Sequence, residues 1–216
     1  MPDEQFGENY FQPKPGKQAA GYESYSEQGM GGKFDLIAGA IWRLCLKNDV
    51  EKKHLSDIRI LELGGAMGFL SKRLTKLPSV ASCINLDISN FATQNSEHRP
   101  AIQADMTQLP IAENSIDLVV SNDTFEHDRN TTQILQQMKR VLKLGGQAFL
   151  VITLKSSYKV PLPDGKLKDD STHVQMQEEN WWREQFLENG FKIKDNLITK
   201  AFNFFQSLQP KIKTPA

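Results

Sequence analysis

The chain has 216 residues, of which 39% are hydrophobic and 24% are charged. These proportions are typical of a globular chain with one domain-sized core, and they exclude a largely disordered protein. Lys and Arg together number 26, as do Asp and Glu, so no overall field attracts nucleic acid or an anionic membrane. The longest apolar stretch, residues 36–46, contains Arg43 and is too short for a membrane span.

The segment 1–33 is treated as an N-terminal extension. It contains five spaced aromatic residues and shows no sustained helical or strand period. Two interpretations stay open: a mobile tail, or an aromatic lid that orders over a bound substrate, in which Tyr22 and Tyr25 would contact that substrate. The first residues lack a secretory signal, which predicts a cytoplasmic protein. Cys45 and Cys83 lack metal-ligand spacing and are expected to be reduced core thiols.

From residue 34 to about residue 200 the pattern alternates helices with short apolar strands. Strands are predicted at 58–63, 80–86, 101–104, 115–121, 147–153 and 191–194, with helices at 34–47, 69–77, 131–144 and 178–188. Gly145-Gly146 is predicted to cap the third helix, 155–177 is a polar loop, and 201–216 is an unassigned C-terminal tail. This order predicts a single α/β domain, Rossmann-like and doubly wound, with a mostly parallel sheet and helices on both faces.

Polar residues follow successive predicted strands, and the first strand is also followed by a glycine turn. In an open parallel sheet ligands bind beyond the carboxyl ends of the strands, so these strand ends define one crevice. Asp87, after the second strand, is suited to accept both hydroxyls of a ribose. A dinucleotide fingerprint beginning at Gly64 would require glycines where the chain has Ala66 and Phe69.

The motif Glu62-x-Gly64-x-Ala66-x-Gly68 resembles the first motif of class I S-adenosylmethionine-dependent methyltransferases, with Ala66 in place of the middle glycine. The resemblance continues in the same order over about residues 58–195. Its further motifs are Asn85-Leu86-Asp87, Ala104-Asp105-Met106, the segment 114–122, Phe125-Glu126-His127 and the segment 140–146. It implies a transferase of the small-molecule, type 11-like group that uses S-adenosylmethionine and no metal.

The resemblance also implies which residues hold the cofactor. Glu62 and Gly64 would line its methionine end, and Asp87 would bind the ribose. The adenine amino group would meet Asp105 and the adenine face Met106, while Asn122 would lie near the sulfonium. The complete set of expected cofactor-binding residues is Glu62, Gly64, Gly65, Ala66, Gly68, Asp87, Ile88, Asp105, Met106 and Asn122.

The sequence identifies the acceptor-binding residues less specifically than the cofactor-binding ones. His127 is the candidate general base, with a pocket-shaping role as the alternative. His173 is a candidate acceptor ligand or simply a loop histidine, and at most one of Trp181 and Trp182 is expected to face a pocket. The acceptor is expected to be a small molecule, such as a sugar or glycan precursor or a quinone-type metabolite. A fold member that binds the cofactor without turnover, or a nucleotide-cofactor enzyme of another reaction class, stays open.

Overall fold

The computed structural model of the chain describes residues 5–12, 25–156, 172–194 and 205–210. Its strands are β1 Ile58–Leu63, β2 Val80–Asp87, β3 Ala101–Gln103, β4 Ile116–Asn122, β5 Leu142–Val151, β6 Phe191–Lys194 and β7 Phe205–Pro210. They form one sheet in the order β3-β2-β1-β4-β5-β7-β6. The first five are parallel, whereas β7 runs antiparallel to both of its neighbours. The predicted mostly parallel sheet is therefore confirmed, with its switch point between β1 and β4.

Helices cover both faces of this sheet, as predicted. They are α1 Glu8–Phe11, α2 Glu27–Ile41, α3 Lys47–Lys53, α4 Phe69–Leu74, α5 Asn90–Gln94, α6 Thr131–Val141 and α7 Glu179–Glu188, with a π-helical turn at Trp42–Leu46 and a 3-10 helix at Phe125–His127. Alternate strand residues enter two separate apolar clusters: Ile60 packs with α2 and α4, whereas Leu61 packs with α6 and α7. Among the described helices, none is long and apolar enough to cross a bilayer.

Helix α2 begins at Glu27, whereas the apolar pattern predicted a start at residue 34. Ser26 caps it by accepting a hydrogen bond from the Gly29 amide at 3.2 Å. Within the first two turns only Gly31 is buried, so this half of the helix carries no apolar stripe. The boundary expected at residue 33 therefore falls inside a helix. The helix also continues through the π-helical turn into α3, which extends to Lys53, whereas the sequence predicted a helix that ends at residue 47.

The predicted glycine cap at residues 145–146 is wrong. Helix α6 ends at Val141, and the next residue, Leu142, is already extended with a ψ of 134° and pairs with Ile116 of β4. Gly145 has a φ of +82°, and a Cβ on Gly146 would lie 2.9 Å from the Lys143 carbonyl oxygen. The two glycines therefore allow an irregularity within β5, where the register with β4 shifts.

The C-terminal tail, which the sequence left unassigned, contributes a strand. Residues 205–210 form β7 between β5 and β6.

Cys45 and Cys83 are both buried and form no disulfide, as expected. Burial raises the pKa of the Cys83 thiol, which keeps it protonated and unreactive at neutral pH.

Candidate active site

A cavity of about 380 Å³ opens beyond the carboxyl ends of β1, β2 and β4. Strand ends form its floor, and rings from the N-terminal segment form the opposite wall. Ten of the residues expected from the sequence line it: Tyr25, Glu62, Gly64, Ala66, Asp87, Ile88, Asp105, Met106, Asn122 and His127. The structure thus gathers residues from five separate chain segments at one place, the place where open α/β sheets bind ligands.

Four expected residues do not line this cavity or cannot be placed. Gly65 and Gly68 belong to the turn that follows β1 and face buried side chains, and the ring of His173 lies 4.7 Å from that of His127, measured between centroids. Tyr22 is outside the described residues.

The glycines of the turn make room for buried polar side chains. A Cβ on Gly65 would lie 2.1 Å from Asn85 Oδ1, and one on Gly68 would lie 2.5 Å from Ser96 Oγ. Gly64 has a φ of +69° and a Cβ there would lie 2.3 Å from Thr124 Oγ1, so no other residue fits. Ala66 also has a positive φ, of 48°, which is unusual for a residue with a side chain.

Asp87 is held in a fixed orientation at the end of β2. Its Oδ2 accepts a hydrogen bond from the Ala66 amide and its Oδ1 accepts one from the Ser89 amide, both at 2.8 Å. Burial raises the pKa of Asp87, and these backbone donors oppose the rise. Each carboxylate oxygen keeps a second lone pair for a ligand hydroxyl.

Glu62 lies deeper, beneath the glycine turn. Its Oε2 accepts a hydrogen bond from the Ser71 hydroxyl, and burial raises the pKa of Glu62 to about 8. Asp105 accepts hydrogen bonds from the amide and hydroxyl of Thr107, both at 2.7 Å and both on Oδ1, so Oδ2 remains for a ligand. Asp128 and Asp123, which pairs with Lys33, also line the described part of the cavity, so its lining is rich in hydrogen-bond acceptors.

Aromatic side chains of the N-terminal segment close one side of the cavity. The rings of Phe6 and Tyr10 contact His127 edge to face, with centroid distances of 5.6 and 6.3 Å. Tyr10, Phe11 and Tyr25 are buried, and Tyr25 stacks on Phe69 at 5.3 Å. Burial, followed by the charges of Glu62, Asp87 and Asp123, raises the pKa of Tyr25. Residues 5–12 therefore pack against the cavity, and their role as a lid over a bound substrate stays a prediction.

His127 ends the short helix that follows β4. Its Nδ1 lies 2.9 Å from Thr172 Oγ1 and 3.2 Å from the Thr172 carbonyl oxygen, so its ring orientation is set by a segment far along the chain. Trp181 and Trp182 do not line the cavity. Trp182 is fully buried against Phe125, which supports the helix-packing interpretation.

Glu126 is a residue to which the sequence assigned no role of its own. Its side chain is fully buried, and its Oε1 accepts a hydrogen bond from the Thr153 amide at 3.2 Å. Among the described residues, Oε2 has no hydrogen-bond partner. Burial, with the charge of Asp123 second, raises the pKa of Glu126 to about 8. The signal in the sequence was its place beside His127 in the motif Phe125-Glu126-His127.

Comparison with known proteins agrees with this geometry. Residues 61–150 match a family model described as a methyltransferase domain. A malonyl-(acyl-carrier protein) O-methyltransferase of Legionella pneumophila is 28% identical over 95 residues, which cover 41% of this chain and 34% of that protein. The biotin biosynthesis bifunctional protein BioHC of Cellvibrio japonicus is 32% identical over 127 residues, covering 54% and 24%. The chain thus spans about a third or less of the length of these two relatives.

Solved structures share the fold at low sequence identity. Streptomyces venezuelae DesVI has a TM-score of 0.67 and 13% identity, and the match covers 85% of this chain and 94% of that one. A methyltransferase of Aquifex aeolicus has a TM-score of 0.57 and 14% identity, covering 82% and 96%.

Proposed function

We propose that the chain, whose residues 61–150 match a methyltransferase domain, is a class I S-adenosylmethionine-dependent methyltransferase that transfers the methyl group of this cofactor to a small-molecule acceptor. The observation that carries the proposal is that Glu62, Asp87 and Asp105, chosen from three separate motifs, line a single cavity. Such a reaction is an in-line displacement, in which the protein mainly aligns the two reactants and excludes water.

The cofactor has a place for each of its parts in this cavity. The oriented carboxylate of Asp87 would accept hydrogen bonds from the ribose hydroxyls, and Oδ2 of Asp105 would accept one from the adenine amino group. Met106 would pack on the adenine face. Glu62 would bind the methionine end, where the ammonium group would provide the positive partner that the buried carboxylate needs to ionise. When bound, the cofactor supplies an electrophilic methyl group.

The acceptor half lies between the N-terminal rings and the short helix after β4. We favour an uncharged acceptor, because Asp128 and Asp123 line this half and only Asp123 has a described ion-pair partner, Lys33, so a carboxylate would meet net negative charge. The relatives named for malonyl-(acyl-carrier protein) suggest a carboxylate acceptor instead. Both classes are therefore included in the test.

Calorimetry with S-adenosylmethionine and with NAD tests the cofactor, and we expect heat of binding only with the first. Release of S-adenosylhomocysteine in the presence of a metabolite extract tests turnover, because a binding protein without activity releases none. Labelled methyl incorporation then ranks neutral metabolites against malonyl-(acyl-carrier protein). Binding of NAD, or binding of S-adenosylmethionine without turnover in any extract, would contradict the proposal.

Binding of the cofactor is expected to release a proton from the protein at pH 7. Burial raises the pKa of Glu62 to about 8, so its carboxyl is mostly protonated in the free protein. A neighbouring ammonium favours the charged form and lowers that pKa, which expels the proton. Calorimetry at pH 7 in buffers of different ionisation enthalpy measures this release, and Glu62→Gln should abolish it. A binding enthalpy that does not vary with the buffer would exclude the role of Glu62.

Replacing His127 with alanine is expected to raise the acceptor KM by about tenfold while turnover falls only a few-fold, because this imidazole shapes the acceptor half. If His127 is instead the general base, turnover should fall by roughly a hundredfold or more. Cofactor affinity should stay nearly unchanged in both cases. Steady-state kinetics separates the two roles, with His54→Asn as the control because His54 is an exposed helix cap away from the cavity.

A further inference from the structure

Three potential metal ligands lie together beside the acceptor half of the cavity. A carboxylate oxygen of Glu126 and one ring nitrogen each of His127 and His173 all lie within 4.8 Å of one another. The first two belong to the short helix after β4, and the third belongs to the segment 172–177. None of the proposed cofactor contacts uses Glu126 or His173, so the cluster is a feature of its own.

The Glu126 carboxylate is an independent indication that something is bound there. It is fully buried, and its Oε2 has no hydrogen-bond partner within the described part of the chain. A buried carboxylate oxygen without a hydrogen-bond donor is costly. A bound cation would relieve this cost.

Thr172 orients the His127 ring through a contact with Nδ1, and metal-binding histidines are commonly oriented by a contact of this kind. If Nδ1 of His127 carries the proton, it donates to the Thr172 carbonyl oxygen at 3.2 Å, and Nε2 is then the ring nitrogen that would bind an ion. Histidines that bind metals ordinarily donate their other ring N–H to such an acceptor.

Backbone hydrogen bonds bring the third ligand to this place. The amides of Val174 and Gln175 both donate to the Glu126 carbonyl oxygen at 2.9 Å. This docking keeps His173 beside His127, with ring centroids 4.7 Å apart. Two separate chain segments therefore meet at the cluster through contacts that do not involve the ligand atoms.

We propose that Glu126, His127 and His173 bind one divalent transition-metal ion of the Zn²⁺ type. Two imidazoles and one carboxylate form a set that Zn²⁺ accepts, with a further position left open. Ligand atoms about 2.0–2.2 Å from the ion lie about 3–3.6 Å apart, so the side chains close by about 1–2 Å on binding. The bound ion holds the His127 side chain in place at the acceptor half of the cavity. It also links the segment 172–177 to the short helix after β4. It also occupies the lone pair that proton transfer needs, so His127 cannot be both ligand and base.

Zn²⁺ binding by the full, untagged and metal-stripped chain tests this proposal without any measurement of methyl transfer. We expect one equivalent of Zn²⁺, and a Co²⁺ complex with the visible absorption of a low-coordinate site. Glu126→Gln keeps the shape of the side chain and an acceptor for the Thr153 amide but removes the charge. This variant and His173→Ala should each weaken binding by more than about a hundredfold, since even outer-shell changes cost about 10–100-fold. His54→Asn should bind like the parent chain.

Absence of Zn²⁺ binding to the parent chain would overturn the proposal, and so would binding that Glu126→Gln and His173→Ala both retain. Thermal unfolding of each variant shows that it is folded. The metal and cofactor proposals fail separately: a chain that binds S-adenosylmethionine and transfers methyl groups but takes up no Zn²⁺ overturns only the metal site. A chain that binds Zn²⁺ but not S-adenosylmethionine overturns only the proposed function.

Discussion

Replacing Asp87 with alanine is expected to weaken S-adenosylmethionine binding by about 2–4 kcal/mol, which is about 30- to 1000-fold in Kd. The ribose hydroxyls lose a charged acceptor, and hydrogen bonds to charged groups are worth about 1.5–3 kcal/mol each. The carboxylate is already oriented by the Ala66 and Ser89 amides, so the ligand gains its hydrogen bonds without first ordering this side chain.

Calorimetry gives the affinity, and the rise in unfolding temperature with saturating cofactor confirms it on the same sample. The second measurement is needed because Asp87→Ala also removes two backbone hydrogen bonds and should lower the stability of the free protein. Asp35→Ala is the matched control: the side chain is 68% exposed and pairs with Arg73 away from the cavity. Unchanged cofactor affinity in a folded Asp87→Ala variant would remove the ribose assignment.

The floor of the cavity was predictable because each of its parts is local in the sequence. A short apolar run followed by an acidic residue indicates a buried parallel strand whose end is functional, and this pattern occurs at Glu62 and Asp87. The topology then brings the ends of β1, β2 and β4 together without further information. Local pattern and strand order were therefore sufficient to predict that these strand ends meet in one crevice, whereas the cofactor roles of the residues came from the family resemblance.

The acceptor side depends on contacts between distant segments, which leave little trace in the sequence. Ser89 Oγ donates to the Phe6 carbonyl oxygen at 2.5 Å, and this contact helps to dock the N-terminal rings although 83 positions separate the two residues. The segment that carries His173 reaches Glu126 through hydrogen bonds from the Val174 and Gln175 amides, which demand no particular side chains. Strand β7 pairs with β5 in the same way. Backbone pairing of this kind carries no period for a sequence pattern to reveal.

Replacing Trp182 with alanine is expected to lower the free energy of unfolding by about 3–5 kcal/mol, because a fully buried aromatic ring leaves a cavity. The ring packs against Phe125 and Phe186, with centroids 6.2 Å away in both cases. For a chain of this size, such a loss lowers the unfolding temperature by about 6–20 °C. Urea denaturation and calorimetric melting measure the two quantities.

Two control variants separate loss of packing from other causes. Trp182→Phe keeps an aromatic ring and removes an indole N–H that has no hydrogen-bond partner among the described residues, so it should cost less than about 1.5 kcal/mol. Trp181→Ala changes the adjacent residue of α7, which is only partly buried, and should cost clearly less than Trp182→Ala. Because Trp182 supports Phe125, the residue before Glu126, the alanine variant should also weaken acceptor binding while leaving the Asp87 side of the cavity intact. Equal losses of stability for Trp181→Ala and Trp182→Ala would show that α7 does not pack through Trp182 as described.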